Sequence, residues 1–479
     1  FIQMDKGGFM LKILGRKTEK RAENGFSLFA LTWPLFIDLM LHTLTLALNL
    51  YLVGKVSLDT VAELTVGNQV FELSMIIFNF IGIGTCVVVA QMLGAGRPKD
   101  VSQVMHAGIG VNLIVALLVC LGILIFNSTI LDIMQIPDAL RHDSRNYLLI
   151  ITLALLPEAL LIVIASILRA YGFTKDSMKV SLLMNLVTVG GNLLLLFGFM
   201  GVPKMGVSGV AISTVIGRVI GLVVLFLIMI KRTGLHLKIK ALFRHHAGVL
   251  RRMLGIGLPG AGENLAWHLQ FMLCTSFVAS MGEIPLATHG IYFQICIFIL
   301  IFAQAIAMGT EIIIGHYVGA LKLHKVYLRL LKSLKIGFVI AILISVGNAF
   351  VFGRPLLHIF TDNPEVEKLA MNLFLLSIIM EPGRIFNIIV INALRATGDA
   401  KFPMMMAIIS MWGISVPLGY FLGIYMGMGL IGIWIAFCVD EWTRGLSMYF
   451  RWRSRIWELR LARSRKNQLW LRIHGLSKA

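Results

Sequence analysis

The segment 26–54, FSLFALTWPLFIDLMLHTLTLALNLYLVG, is apolar over its whole length and carries one formal charge, Asp38, near its middle. At a rise of about 1.5 Å per residue, such a helix is long enough to cross a hydrocarbon core of roughly 30 Å. A carboxylate at that depth costs about 2.5 to 3.5 kcal/mol on insertion scales, so it is expected to face protein or water. The segment therefore predicts a transmembrane helix in which Asp38 has a functional role.

One face of this predicted helix is polar. Helical spacing places His42, Thr45 and Asn49 on the same side as Asp38. Pro34 precedes the acid by one turn, removes a helix hydrogen bond and favours a bend there. We expect this face to line a cavity in which Asp38, with His42 and Asn49, holds a cation or a proton.

The rest of the chain repeats this apolar character, since 58% of its 479 residues are hydrophobic and 14% are charged. Such a composition is typical of a polytopic membrane protein. The apolar runs predict twelve spans, near 26–54, 61–92, 103–127, 147–170, 178–200, 206–230, 254–281, 286–321, 328–353, 366–395, 402–423 and 429–451.

Internal repetition divides these spans into two sets of six. A shift of 225 residues superposes Pro34 on Pro259 and Asp38 on Glu263, and a shift of 226 aligns LRAYGFTK with LRATGDAK. We therefore expect an all-α polytopic membrane protein with twelve transmembrane helices in two homologous six-helix lobes (6+6) around a central cavity. The expected segments are a basic N-terminus (1–25), an N-lobe (26–230), a basic linker (231–253), a C-lobe (254–451) and a basic tail (452–479).

The charge distribution predicts the topology. The 43 Lys and Arg residues exceed the 24 acids and give a net charge of +19, and the basic loops alternate with the spans so that they fall on one side. That side is cytoplasmic by the positive-inside rule, so we expect both termini in the cytoplasm of a bacterium, with the chain in its inner membrane. The excess charge suits anionic membrane lipids, and no nucleic-acid partner is expected.

Residues 455–479 lie beyond the last span and outside the internal repeat. They are expected to be dispensable for transport.

The seventh predicted span repeats the isolated acid of the first. Glu263 and Gln270 share a face, and Asn264 and His268 lie beside it, so we expect this group to bind substrate or a cation. The alternative is an acid that only holds the bundle together. Glu311 stands deep in the eighth span and is expected to belong either to the same site or to its structural surroundings.

The tenth span places Glu381 and Arg384 one turn apart, with Asn387 further along. These residues are candidates for the same C-lobe site, although a local ion pair that neutralises both charges is the alternative interpretation. Asp440, Glu441 and Arg444 in the last span form a similar set. The five cysteines share no metal-like spacing, and no nucleotide, metalloprotease or serine-hydrolase motif occurs, so we expect a protein that is not an enzyme and needs no cofactor or metal.

Several motifs together resemble the multidrug and toxic compound extrusion (MATE) family over residues 26–451. They are the P-x-x-x-acid pairs of the first and seventh spans, VVVAQMLGAGRPKD, PGAGENL, EPGR-x-FN and DEW-x-RG. The resemblance implies secondary active export of a bulky organic small molecule (a drug, a toxin or a secondary metabolite such as precolibactin) in exchange for H⁺ or Na⁺. It also implies two lobes that rock between inward-open and outward-open states, and a coupling role for the acid of the first span.

Asn49 departs from the family pattern, because many members carry an aspartate there. Asp38 is therefore expected to be the principal coupling carboxylate, with Asn49 as a neutral ligand. A lipid-linked oligosaccharide flippase of similar architecture is the alternative function, but its cavity should be ringed by arginines, and this chain offers mainly Arg384. We expect the protein to act as a monomer.

Overall fold

The computed structural model describes residues 26–198, 201, 203–242, 247–459 and 461. The expected basic N-terminus (1–25) and most of the basic tail lie outside the described residues. The described residues are helical apart from short connections, as the sequence predicts. Their contacts divide the chain into two units with a boundary between Gly257 and Leu258.

Six long helices make up the first unit, here called the N-lobe. They are α1 (Leu28–Gly54), α2 (Leu58–Gly94), α3 (Val101–Ile133), α4 (Asp138–Ala170), α5 (Thr174–Phe197) and α6 (Gly206–Thr233). A four-residue helical turn, Ile239–Leu242, follows in the linker. Helix α4 occupies the middle of the lobe, because it packs against α2, α3 and α6.

Six further long helices follow, and all but the beginning of the first of them form the second unit, here called the C-lobe. They are α7 (Ala247–Ala279), α8 (Glu283–Gly319), α9 (Leu323–His358), α10 (Pro364–Thr397), α11 (Lys401–Tyr425) and α12 (Gly429–Arg453). Helix α10 packs against α8, α9 and α12. It therefore holds the position in the C-lobe that α4, its counterpart in the repeat, holds in the N-lobe.

Ten of these helices are long and apolar enough to cross a membrane, and α7 and α12 are not among those ten. The sequence gives the reason in both cases. Glu263, Asn264, His268 and Gln270 interrupt the apolar part of α7, and Asp440, Glu441 and Arg444 interrupt that of α12. The two long helices outside those ten thus both carry charged or polar residues of the C-lobe that the sequence singles out.

Helix ends follow local chemistry. Ser57 caps α2 by accepting a hydrogen bond from the Thr60 amide at 3.1 Å, and Asn363 caps α10 by accepting from the Glu365 amide at 2.9 Å. Pro364 occupies the first turn of α10, and Gly398 ends it with a φ of 89°, which favours glycine. Prolines interrupt α1, α4, α7 and α10, the first and fourth helices of each lobe.

Each lobe has a large apolar core among the described residues. In the N-lobe, Phe78 and Leu148 are fully buried between α2 and α4. In the C-lobe, aromatic rings dominate, with Tyr292 packed edge-on against Trp434 at 4.6 Å and tilted against Phe374 at 5.3 Å. Edge-to-face aromatic pairs add roughly 0.5 to 1.5 kcal/mol beyond the area they bury, so this cluster fixes α8, α10 and α12 to one another.

The linker and the first turns of α7 pack on the N-lobe. The Lys238 amide donates a hydrogen bond to His106 Nε2 of α3 at 3.0 Å, and the Arg252 guanidinium donates to the Gln91 side chain of α2. Gly84 of α2 faces the Met253 backbone so closely that a Cβ atom at position 84 would overlap it. Helix α7 therefore begins in the N-lobe and continues, across Pro259, into the C-lobe.

Candidate functional site

A polar cavity of about 40 Å³ lies inside the N-lobe. Its lining includes His42 and Asn49, two of the three residues predicted for the N-lobe site. The other lining residues are Thr45, Leu46, Asn68, Phe71, Glu72, Tyr147, Ile151, Asn185, Thr188, Thr214 and Arg218. Five helices contribute, so the cavity depends on the tertiary fold of the lobe.

Asn49 is held by a neighbouring helix. Asn192 of α5 donates a hydrogen bond from Nδ2 to Asn49 Oδ1 at 2.7 Å, and both residues are buried. In the same way, Tyr147 of α4 donates its hydroxyl proton to Asn68 Oδ1 at 2.9 Å. The cavity therefore has amide oxygens that are oriented by donors from α4 and α5.

Four ionisable residues in and behind the cavity form what we call the N-lobe network, namely His42, Glu72, Glu158 and Arg218. Arg218 Nε lies 3.0 Å from Glu158 Oε2, and both side chains are largely buried. His42 Nε2 lies 3.7 Å from Glu72 Oε1, with side chains exposed by 40% and 46%. The two acids thus have different partners, since one is paired with a guanidinium and the other faces an imidazole.

Asp38 occupies a different place from the one expected. It is half-buried on α1, one turn before His42, and it is not among the residues that line the cavity. The polar face of α1 that the sequence indicates therefore enters the cavity only from His42 onward.

The C-lobe carries a larger set of charges, here called the C-lobe network: Glu263, Glu381, Arg384, Arg395, Asp440, Glu441 and Arg444. Glu381 Oε1 accepts from Arg384 Nη1 at 2.8 Å, as the local ion pair predicts. Arg384 also reaches Glu441 of α12 at 3.8 Å, and Asn387 donates to the other oxygen of Glu441 at 2.7 Å. The pair on α10 is therefore part of an interhelical network.

Arg444 joins the acids of the last helix. Its Nη2 lies 2.8 Å from Asp440 Oδ2 and 3.1 Å from Glu441 Oε1, and Ser410 of α11 donates to Asp440 at 2.6 Å. These groups are buried, so each pairing offsets a desolvation cost of several kcal/mol per ion.

Glu263 extends the network to α7. Its carboxylate lies 3.6 Å from Arg395 Nη2 of α10, and the side chains of both residues are about nine-tenths buried. Arg444 and Glu441 also interact electrostatically with Glu263. Gln270, two turns along α7, donates to Ser415 of α11 at 2.6 Å.

The three remaining predicted residues lie on α7 and α8. Asn264 and His268 are exposed on α7, and His268 Nδ1 lies 2.8 Å from the Asn264 carbonyl oxygen. Glu311 is buried in α8, next to Thr310, whose hydroxyl donates to Ser333 of α9 at 2.8 Å.

Comparison with known proteins agrees with this architecture. The family model MatE matches residues 34–194 and again residues 259–421. The chain belongs to the MatE family. The two matches begin at Pro34 and Pro259, the residues that the internal repeat superposes, so the family unit is a single lobe and the chain contains two.

Relatives of the MatE chain cover nearly all of it. The uncharacterized transporter YisQ of Bacillus subtilis is 42% identical over 439 residues, which are 92% of this chain and 96% of YisQ. The probable multidrug resistance protein NorM of Thermotoga maritima is 26% identical over 87% of this chain and 90% of its own length. Family members of this kind are transporters and not enzymes, so the chain is a multi-pass membrane transporter.

Solved structures show the same fold. A MATE protein in its bent conformation superposes with a TM-score of 0.84, at 17% identity, over 96% of this chain and all of the other. An outward-facing multidrug resistance MATE family transporter gives 0.82 at 18% identity, over 91% of this chain and 97% of the other. The two-lobe, all-helical MATE fold is thus shown.

Sequence reasoning did not assign to a site four residues that the structure brings into these networks: Glu72, Glu158, Arg218 and Arg395. A signal existed for one of them, since the repeat shift of 226 carries Arg218 onto Arg444. Each lobe of this MatE protein therefore places an arginine of its last helix against buried acids.

Proposed function

We propose that this transporter exports bulky organic small molecules from the bacterial cell in exchange for a cation, H⁺ or Na⁺. One observation carries the proposal: in each lobe, the charged network contains one more carboxylate than guanidinium. The N-lobe network has Glu72 and Glu158 against Arg218. The C-lobe network has Glu263, Glu381, Asp440 and Glu441 against Arg384, Arg395 and Arg444.

An uncompensated charge in a protein interior is costly, and the cost falls when a proton or a metal cation neutralises it. Each lobe is therefore built to bind one positive charge more than its own side chains supply. A site that binds the cation more tightly in one conformation than in the other converts a cation gradient into conformational work. Exchange for a substrate follows if the substrate favours the opposite conformation.

In this proposal the N-lobe site contains His42 and Asn49, with Asp38 one turn away on the same helix. The C-lobe site contains Glu263, Glu381, Arg384 and Asn387, with Gln270, Glu311, Asn264 and His268 as candidates for substrate or cation contact. The two lobes would rock between inward-open and outward-open states. Relatives named as probable multidrug resistance proteins support a drug-like substrate class.

The flippase alternative receives less support. Recognition of a lipid pyrophosphate requires arginines that are available to the ligand. In this chain Arg384, Arg395 and Arg444 are each within 4 Å of carboxylates of their own lobe. Their charges are therefore already paired with carboxylates of the protein and are not available to a lipid pyrophosphate.

The test is transport in proteoliposomes that contain the purified full chain. Uptake of ethidium, a bulky aromatic cation, would be measured under a pH gradient alone, a sodium gradient alone, and neither. We expect at least one gradient to drive accumulation against the ethidium gradient. Movement of ethidium that follows only its own concentration difference under all three conditions would contradict cation-coupled export.

A further inference from the structure

Glu72 of α2 stands out within the N-lobe network because its charge has no cationic hydrogen-bond partner in the described residues. Its Oε1 atom is buried and accepts no hydrogen bond there. The nearest basic atom is His42 Nε2, at 3.7 Å, which is beyond normal hydrogen-bond distance. The Glu72 side chain as a whole is 46% exposed, so a proton can reach this oxygen, and one positive charge placed between the two side chains would neutralise the carboxylate.

The neighbouring acid does not share this situation. Glu158 has Arg218 at 3.0 Å, and the side chains of this pair are exposed by only 7% and 15%. Arg218 also stands over the Phe71 ring, 5.9 Å from its centroid, which holds the guanidinium in place. Because Arg218 is fixed on Glu158, the unbalanced carboxylate of the N-lobe network is that of Glu72.

The surroundings of Glu72 and His42 favour a proton over a metal ion. A sodium ion needs several oxygen ligands, and the amide oxygens of Asn49 and Asn68 each have only one lone pair left, because they accept hydrogen bonds from Asn192 and Tyr147. The described residues contain no group of three or more His, Cys, Asp or Glu side chains that could hold a metal. An imidazole beside a carboxylate is instead a typical pair for binding a single proton.

The charged and titratable groups around the pair come from three helices. Arg218 of α6 lines the cavity. Both Arg218 and Glu158 of α4 are close enough to interact electrostatically with Glu72. Tyr147 of α4 lines the cavity as well, while α5 contributes the neutral Asn185 and Thr188. On α1, Asp38 lies one turn from His42, outside the lining.

Depth is the remaining requirement for a coupling site. His42 lies near the middle of α1, and Glu72 lies in the interior of α2, well away from both of its ends. A group in the middle of a spanning helix can be reached from either face of the membrane only through the protein's own cavities. A proton bound there can therefore be made accessible to one side at a time.

We propose that the N-lobe binds one exchangeable proton between the Glu72 carboxylate and the His42 imidazole, and that this pair is its coupling site. The proposal rests on the cation-driven export proposed above and names its proton site. Proton binding closes the 3.7 Å gap between His42 Nε2 and Glu72 Oε1, because it converts a carboxylate facing a neutral ring into a hydrogen-bonded pair. No other co-reactant is needed, because the proton comes from one aqueous side and leaves to the other.

The test uses Glu72→Gln and His42→Gln, with Glu63→Gln as the control, because Glu63 is a buried acid of the same helix that does not line the cavity. Infrared difference spectra of the purified full chain in lipid, taken between acidic and alkaline pH, report carboxylate protonation without any substrate. We expect the wild type and Glu63→Gln to share a signal that Glu72→Gln lacks and that His42→Gln displaces in pH. An unchanged difference spectrum in Glu72→Gln overturns the proposal.

A second measurement separates this proposal from the proposed function. With sodium absent, pH-driven ethidium accumulation should fall at least about tenfold in Glu72→Gln and stay within about twofold of wild type in Glu63→Gln. If Asp38→Asn abolishes pH drive while Glu72→Gln keeps it, the proton site lies at Asp38 and the proposal is wrong. Ethidium accumulation that a sodium gradient drives and a pH gradient does not would also overturn the proposal, although cation-coupled export would stand. A Glu72-dependent spectrum in a protein that no gradient drives would support the proton site and contradict the proposed function.

Discussion

Arg218 of α6 lies 3.0 Å from Glu158 of α4, and its repeat counterpart Arg444 of α12 lies 2.8 Å from Asp440. The two arginines are related by the shift of 226 residues that also aligns LRAYGFTK with LRATGDAK. Their acid partners are not related in this way, because Glu158 comes from a different helix and Asp440 from the same one. The repeat has therefore kept a buried cation in the last helix of each lobe while the carboxylates around it have diverged.

Removal of Arg218 should strongly destabilise the N-lobe. Arg218→Ala leaves the Glu158 carboxylate buried without its partner, and such uncompensated charges cost about 3 to 5 kcal/mol. Thermal denaturation in detergent, followed by size exclusion, should show a large fall in the midpoint. Arg218→Met combined with Glu158→Leu should recover most of it, because an apolar pair removes both desolvation costs.

Arg354→Ala is the matched control for that experiment. Arg354 also pairs with a glutamate, Glu367, at 3.3 Å, but its side chain is 72% exposed. Exposed ion pairs contribute about 0 to 1 kcal/mol, so the midpoint should hardly move. Equal losses in Arg218→Ala and Arg354→Ala would contradict a special role for the buried pair.

Local patterns in the sequence predict the helices and the repeat, because apolar periodicity and paired prolines are properties of neighbouring residues. The partners within a site depend on tertiary contacts that no single helix contains. Asp38 is conspicuous in the sequence as an isolated charge, yet the cavity begins one turn later, and Glu72 of another helix supplies the acid. Arg395 resembles a basic residue at a loop boundary, but it is buried against Glu263.

We expect the basic tail to be needed for folding as far as Trp457. The sequence predicts that residues 455–479 are dispensable, but Trp457 is fully buried, stacks on Trp452 at 4.8 Å and donates from Nε1 to the Trp452 carbonyl oxygen at 3.1 Å. Truncation after Arg453 should cost about 3 to 5 kcal/mol, as for loss of a buried tryptophan. Folded yield by fluorescence size exclusion should fall for that truncation and not for one after Leu461. Equal yields would show that the Trp457 contact contributes little.

The linker should be accessible only from the cytoplasm. Lys238 is exposed in the N-lobe unit, and the positive-inside rule assigns its basic segment to the cytoplasmic side. Lys238→Cys should resist a membrane-impermeant maleimide in intact cells and react in inverted vesicles. Asp362→Cys is the control, since Asp362 has a side chain that is 95% exposed and lies between α9 and α10, on the side opposite to the basic loops if the spans alternate as the sequence predicts. Labelling of Lys238→Cys in intact cells would reverse the proposed topology.

The final prediction separates the two lobes by function. Glu263 lies 3.6 Å from Arg395, within a C-lobe network that is distinct from the N-lobe pair of Glu72 and His42. Glu263→Gln keeps the shape of the side chain but removes one negative charge, so the C-lobe network no longer carries an excess carboxylate. Ethidium binding should therefore weaken by about tenfold, as for the loss of one partly buried charge interaction, while pH-driven accumulation should persist at saturating ethidium. Equilibrium binding by fluorescence and transport in proteoliposomes would be measured on the same preparation. Complete loss of pH drive with unchanged ethidium affinity would move the coupling role from the N-lobe to Glu263.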